Sequence, residues 1–109
     1  MRNGVSNRPP RSKILMKIAD YIKLALAKRY PTADFKDYFE FLESIAECSI
    51  NFEKHHILPV SVKTFYQYRK DPNNLLMVSA VNHDKAHKLL GSAEKWLLRT
   101  ARRARGYYQ

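Results

Sequence analysis

The sequence predicts one α+β domain in which two N-terminal helices carry a strand-loop-strand-helix unit and a basic helical tail. Three observations lead there. Apolar residues recur at helical spacing before residue 50 and after residue 80, short apolar runs bounded by turn residues lie between them, and 109 residues is the length of one domain. Hydrophobic residues make up 45% of the chain, enough for a core, although a domain this small gains from a metal, a partner or a substrate.

Residues 1–13 carry Arg2, Arg8, Arg11 and Lys13 with no acid, while Gly4, Pro9 and Pro10 break regular structure. Residues 1–11 therefore read as a basic arm. It either tracks phosphates or is a solubilising start, and composition leaves both open. From Ser12 to Tyr30, Ile14, Ile18, Ile22 and Leu26 fall on one helical face, with Leu15, Tyr21 and Ala25 beside them, and Pro31 stops the helix. A second helix is expected after Thr32. Phe35, Tyr38, Phe39, Leu42, Ile45 and Ala46 form its apolar face, and Asp34, Asp37, Glu40, Glu43 and Glu47 occupy the rest. Residues 33–54 hold six acids against Lys36 and Lys54, a poor surface for a polyanion. Residues 12–49 are thus a helical scaffold whose acids should face away from any anionic partner.

Beyond Ser49, the run Ile50, Phe52, Glu53 to Leu58 reads as a short strand closed by Pro59. Val60 to Asn73 is a polar and aromatic connection, and a loop of that length in a small domain is more often functional than accidental. Leu75 to Val78 suits a second strand. Ser79 is a good N-cap for a helix that starts near Ala80 and runs at least to Leu90, with Gly91 and Ser92 as a break. The remainder, 91–109, is a basic helical tail with an apolar edge of Trp96, Leu97 and Ala101.

Lys and Arg number 20 against 10 Asp and Glu, a formal charge of +10, which points to a polyanionic partner and away from sugar or peptide substrates. Cys48 is the single cysteine, so there is no intramolecular disulfide and no four-thiolate zinc site. Any structural metal must be held by histidine or carboxylate. No apolar run reaches the roughly 18–20 residues of a membrane span, and no signal-peptide core follows Met1. The expectation is an intracellular protein, cytoplasmic or nucleoid-associated, in a reducing compartment and with no membrane partner.

The four histidines, His55, His56, His83 and His87, all lie in the strand-loop-strand-helix segment. His83 and His87 stand four apart on the expected helix, so both imidazoles leave one face, as a helix does when it supplies two ligands to one metal. Alone, such a pair is weak, because two exposed helix histidines look the same. The adjacent His55 and His56 strengthen it by offering a third ligand and a base beside the metal. Neighbours on a strand point to opposite faces, so both reach one site only where the strand ends or twists, which Pro59 supports.

Taken together, Phe52 to Ser61 (FEKHHILPVS), Asn74, and His83-Asp84-Lys85-Ala86-His87 resemble the signature of the HNH endonucleases, most closely the colicin-type DNases and the homing-type nucleases. The resemblance covers residues 52–88, about a third of the chain. It implies a ββα-metal (His-Me finger) fold around one divalent cation, Mg²⁺ foremost, with Mn²⁺, Ni²⁺ or Zn²⁺ as alternatives. By the same resemblance His55, His83 and His87 are metal ligands, His56 is the general base, and Asn74 braces the loop so that the base stays oriented. Glu53 matches a glutamate that pairs with arginine near the scissile phosphate. No arginine shortly precedes it here, so a simple salt bridge or a solvated carboxylate is an equal reading. The family's Gly-Gly turn after the Pro-Xaa-Ser stretch is absent, as are the CxxC pairs that staple many phage members.

The chemistry suits those roles. A neutral imidazole, ordinarily near pKa 6.5, accepts a proton from water at physiological pH, and a metal held by three imidazoles stays cationic against phosphate oxygens. The expected activity is metal-dependent DNA phosphodiester hydrolysis leaving 5′-phosphate and 3′-hydroxyl ends, with a homing or phage-type role ahead of restriction, packaging or toxin roles. Lys63, Arg69, Lys70, Lys85, Lys88, Arg99, Arg102, Arg103 and Arg105 are candidate phosphate contacts, on double-stranded DNA above all. Each is equally readable as solvated charge. The competing class is a nucleic-acid-binding or ribonucleoprotein module that keeps the metal site without turnover. The sequence leaves oligomeric state open, a homodimer included.

Overall fold

A computed structural model describes residues 17–98, and within them the fold is α+β. In chain order the elements are α1 (Asp20–Arg29), α2 (Lys36–Ser44), β1 (Glu53–His56), β2 (Leu75–Val78) and α3 (Ala80–Ala93). Three 3₁₀ turns, Lys63–Tyr68, Pro72–Asn74 and Lys95–Leu97, complete them. The arm at 1–11, the start of the first expected helix, and Arg99, Arg102, Arg103 and Arg105 lie outside the described residues.

α1 buries Ile22 and Leu26, carries Asp20 in its first turn and Lys28 and Arg29 in its last, and so matches its charges to the helix dipole. It begins later than Ser12. Ala19 is extended, and Ile18 enters the core from that extended segment, its N–H donating to Glu43 Oε2 at 2.9 Å. α2 buries Tyr38 and Leu42 and ends at Ser44, because Ile45 turns to extended backbone. Ala46 and Glu47 therefore lie beyond the helix the periodicity predicts.

Two acids of this segment turn inward to backbone N–H groups. Glu43 also pairs with Lys23 Nζ at 3.2 Å. Burial alone would raise its carboxyl, but the Ile18 N–H and the Lys23 ammonium outweigh it and hold the group below the ordinary carboxylate range. Glu47 Oε2 accepts from Met77 N at 3.3 Å, and Cys48 N donates to Met77 O at 3.0 Å. The 47–48 segment thus covers the edge of β2 that faces away from β1, blunting an otherwise open strand edge.

β1 and β2 pair antiparallel, with Glu53 opposite Val78, Lys54 opposite Met77, His55 opposite Leu76 and His56 opposite Leu75. The strand is shorter than Ile50 to Leu58. Asn51 sits at φ 52°, a left-handed conformation that asparagine tolerates better than most residues, and Ile50 and Phe52 are exposed. The expected 60–73 loop is largely 3₁₀, because Phe65 is fully buried and pulls its turn onto the core.

Ser79 caps α3 as expected, its Oγ accepting from Asn82 N at 3.1 Å. No break occurs at Gly91 and Ser92. The helix runs through both to Ala93 and ends where Glu94 becomes extended. Gly91 is buried under the C-terminal turn, where a Cβ would stand 3.3 Å from Leu98 Cα and drive into the Leu98 side chain. The glycine is there for close approach rather than for breaking the helix. Leu97 is buried while Trp96 is exposed, so the two do not form one apolar edge.

The core gathers Leu26 and Leu42 from the first two helices, Ile57, Leu58 and Phe65 from the connection, Leu76 and Val78 from β2, and Leu90 and Leu97. The scaffold helices therefore pack on the hairpin and α3 through shared apolar contacts. Among the described residues no helix is long and apolar enough to cross a membrane.

Candidate metal and catalytic site

Three of the four histidines converge. His55 comes from β1, His83 and His87 from one face of α3, and one ring nitrogen from each lies within 4.8 Å of the others. The rings meet at centroid distances of 5.2 Å (55–83), 5.1 Å (55–87) and 4.8 Å (83–87). His83 Nε2 and His87 Nε2 are 3.1 Å apart. Metal–imidazole bonds of about 2.0–2.1 Å in tetrahedral geometry place ligand nitrogens about 3.4 Å apart, so three imidazoles this close suffice for one metal ion.

Two of the three rings, His55 and His83, are held from behind. The Tyr38 hydroxyl donates to Ile57 O at 2.7 Å and lies 2.8 Å from His55 Nε2. Tyr38 is fully buried and its phenol is pushed well above its ordinary value by desolvation, so it keeps its one proton. With that proton committed to the carbonyl, His55 Nε2 must be the donor to the phenol oxygen, which leaves the lone pair on Nδ1. His55 Nδ1 is buried without a hydrogen-bond partner, and so is His87 Nδ1. A buried imidazole nitrogen without a partner, such as His55 Nδ1, fits a metal ligand.

His83 Nδ1 donates to Glu53 Oε1 at 2.7 Å, which leaves its Nε2 as the ligand atom. Glu53 is thereby placed behind a candidate ligand on α3, and this is the partner that its sequence neighbourhood does not reveal. Burial drives the His55 imidazole well below its ordinary pKa, with His87 and His83 adding to the shift. Burial, then the neighbouring His83, lowers His87 from 6.5 to about 4. Both rings are therefore neutral at physiological pH, the state in which imidazole binds metal.

His56 is not among the three. It is the last residue of β1, half-buried, and its ring turns toward the 60–73 connection, where Nε2 donates to Arg69 O at 3.2 Å. A carbonyl only accepts, so Nε2 carries a proton, and in the neutral ring the lone pair lies on Nδ1. Asn74 is fully buried beneath it: Oδ1 accepts from Leu58 N at 2.6 Å, and Nδ2 donates to Leu58 O at 3.2 Å and to Tyr68 O at 3.3 Å. The asparagine ties the chain just after β1 to the residue before Arg69. It thus fixes the carbonyl that orients His56.

The basic candidates separate by environment. Lys88 is paired with Asp84 at 3.1 Å, and Lys85 lies over the Phe41 ring at 4.9 Å. Lys63, Arg69 and Lys70 are exposed on the connection beside His56. Tyr38 was visible in the sequence only as part of the apolar face of α2. The one signal was its hydroxyl, since a buried phenol needs a polar partner.

In comparisons with known proteins, no family model, no curated protein and no solved structure matches this chain.

Proposed function

We propose that this protein is a metal-dependent DNA endonuclease of the HNH type, with the hairpin and α3 forming a ββα-metal centre. The observation that carries the reading is the convergence of His55, His83 and His87, with a buried unpartnered nitrogen on His55, and the next residue of β1, His56, oriented by a backbone carbonyl. A metal site alone does not need the fourth ring.

His55, His83 and His87 would hold the ion, with Tyr38 and Glu53 fixing which nitrogen of His55 and His83 is offered. The ion's part is Lewis-acid stabilisation of charge on the phosphate and the departing oxygen. His56 Nδ1 takes a proton from the attacking water, and its Nε2–H bond to Arg69 O stabilises the imidazolium that results. Three imidazoles without a carboxylate suit Ni²⁺, Zn²⁺ or Mn²⁺ better than Mg²⁺, which prefers oxygen ligands. On donor chemistry these metals are expected to support cleavage at least as well as Mg²⁺.

The test is supercoiled plasmid incubated with protein and Mg²⁺, Mn²⁺, Ni²⁺ or Zn²⁺, with and without chelator. Nicking or cutting that requires metal and stops with chelator supports the nuclease. Binding without cleavage of plasmid, single strands or RNA under any metal overturns it in favour of the non-catalytic nucleic-acid-binding module.

A further inference from the structure

The 60–73 connection carries an arrangement that the metal centre does not use. The Arg69 guanidinium lies over the Tyr66 ring, 4.1 Å from its centroid, and its Nη1 donates to Tyr66 O at 3.2 Å. The Arg69 N–H donates to the same carbonyl at 3.1 Å, and the Arg69 carbonyl accepts from His56. A long, exposed side chain is therefore held in one place, next to the general-base candidate.

Among the described residues no carboxylate forms an ion pair with it. Asp71 is the one carboxylate in residues 60–73, and it is turned away: Oδ2 accepts from the Tyr21 hydroxyl at 2.5 Å and Oδ1 from Asn73 N at 2.9 Å. α1 thus occupies the acid that would otherwise quench the connection. Lys63 and Lys70 flank Arg69 and are exposed like it. Tyr66 remains more than half exposed with the guanidinium stacked on it.

We propose that Arg69, stacked on Tyr66, is a phosphodiester clamp that seats a nucleic-acid phosphate beside His56. Cleavage of the seated strand rests on the nuclease reading, whereas the clamp itself is a binding claim. A guanidinium presents a planar fork that matches two phosphate oxygens, and stacking on an aromatic ring removes part of the entropy cost of ordering it. Because the same residue orients the base through its backbone, phosphate and base are placed relative to each other by one short segment. Arg69 is a positioning residue in this scheme, and Tyr66 supports it.

The experiment measures binding of a short fluorescent DNA duplex by anisotropy across a salt series, in the His56→Ala background so that cleavage does not intervene. Arg69→Ala is expected to weaken binding about 5–10-fold and to lower the slope of log affinity against log salt by about 0.9, one phosphate contact. Arg69→Lys should recover the slope but not the affinity, since it restores the charge without the fork. Tyr66→Ala should weaken binding less than Arg69→Ala and leave the slope in place. Lys36→Ala on α2, which removes the same charge beside Glu40, should leave both unchanged.

Far-ultraviolet circular dichroism confirms that each variant is folded. Folded Arg69→Ala protein with parental affinity and slope overturns the clamp, as does an equal loss in Lys36→Ala. If His56-intact protein cleaves nothing with any metal while Arg69→Ala still loses affinity and slope, the nuclease reading fails and the clamp stands.

Discussion

Tyr38 has one hydroxyl proton and spends it on Ile57 O, so the tautomer of His55 is decided by a residue on a different element. Removing the hydroxyl while keeping the ring separates orientation from packing. Tyr38→Phe should leave His55 without its partner and lower metal affinity about 10–100-fold, the usual effect of losing a group that orients a ligand. Calorimetric metal titration measures this. Nitrogen-15 shifts of His55 in metal-free protein supply the independent readout: one tautomer in the parent, a mixture in the variant. Unchanged affinity and an unchanged tautomer would remove Tyr38 from the site. Glu53 does the same for His83, through a 2.7 Å bond from Nδ1.

The connection between β1 and β2 acts as one unit because Asn74 stitches it. Asn74→Ala would leave the Leu58 N–H and carbonyl, both buried, without these partners, and each such group costs about 1–3 kcal/mol. A destabilisation of about 2–6 kcal/mol is expected, read from urea unfolding. A change below about 1 kcal/mol would mean that the segment holds its shape without the asparagine. Much at this scale was legible in the sequence. β2, the Ser79 cap and the His83–His87 face follow from apolar runs, capping chemistry and fourfold spacing. What escaped it has physical causes. The inward turn of Glu43 and Glu47 depends on backbone N–H groups of Ile18 and Met77, which are 25 and 30 residues away in sequence. The 3₁₀ turn at Lys63–Tyr68 depends on burying Phe65, which polar neighbours conceal. Gly91 carries the same letter whether it breaks a helix or admits Leu98, so only the packing distinguishes the two.

Across the whole molecule, the scaffold positions the site from outside the motif: α2 supplies Tyr38, and α1 holds Asp71 away from Arg69 through Tyr21. Burial of His55 and partial burial of His87 also give the fold a pH signature. His55 and His87 have folded pKa values below their ordinary one, so the unfolded chain binds protons more readily, and metal-free stability rises with pH. Their contribution is present above about pH 6.5 and is lost as pH falls through that value toward about 4, the folded value of His87. Glu43, lowered from 4.5, adds a further loss below that. Urea unfolding from pH 8 to pH 4 checks this, and replacing His55 and His87 by Gln should flatten the upper part of the curve. A parent whose stability is level from pH 7 to pH 5 would contradict the buried neutral state.

The division of labour among the four histidines is tested most directly by one comparison. The single-turnover rate of plasmid cleavage is measured for the parent and for His56→Ala, each loaded with metal to the same occupancy. If, as proposed, His56 moves a proton and does not hold the ion, the expected result is a fall of about 10²–10⁴ in rate with metal affinity unchanged. Equal cleavage rates in the two proteins, or loss of metal binding in His56→Ala, would contradict it.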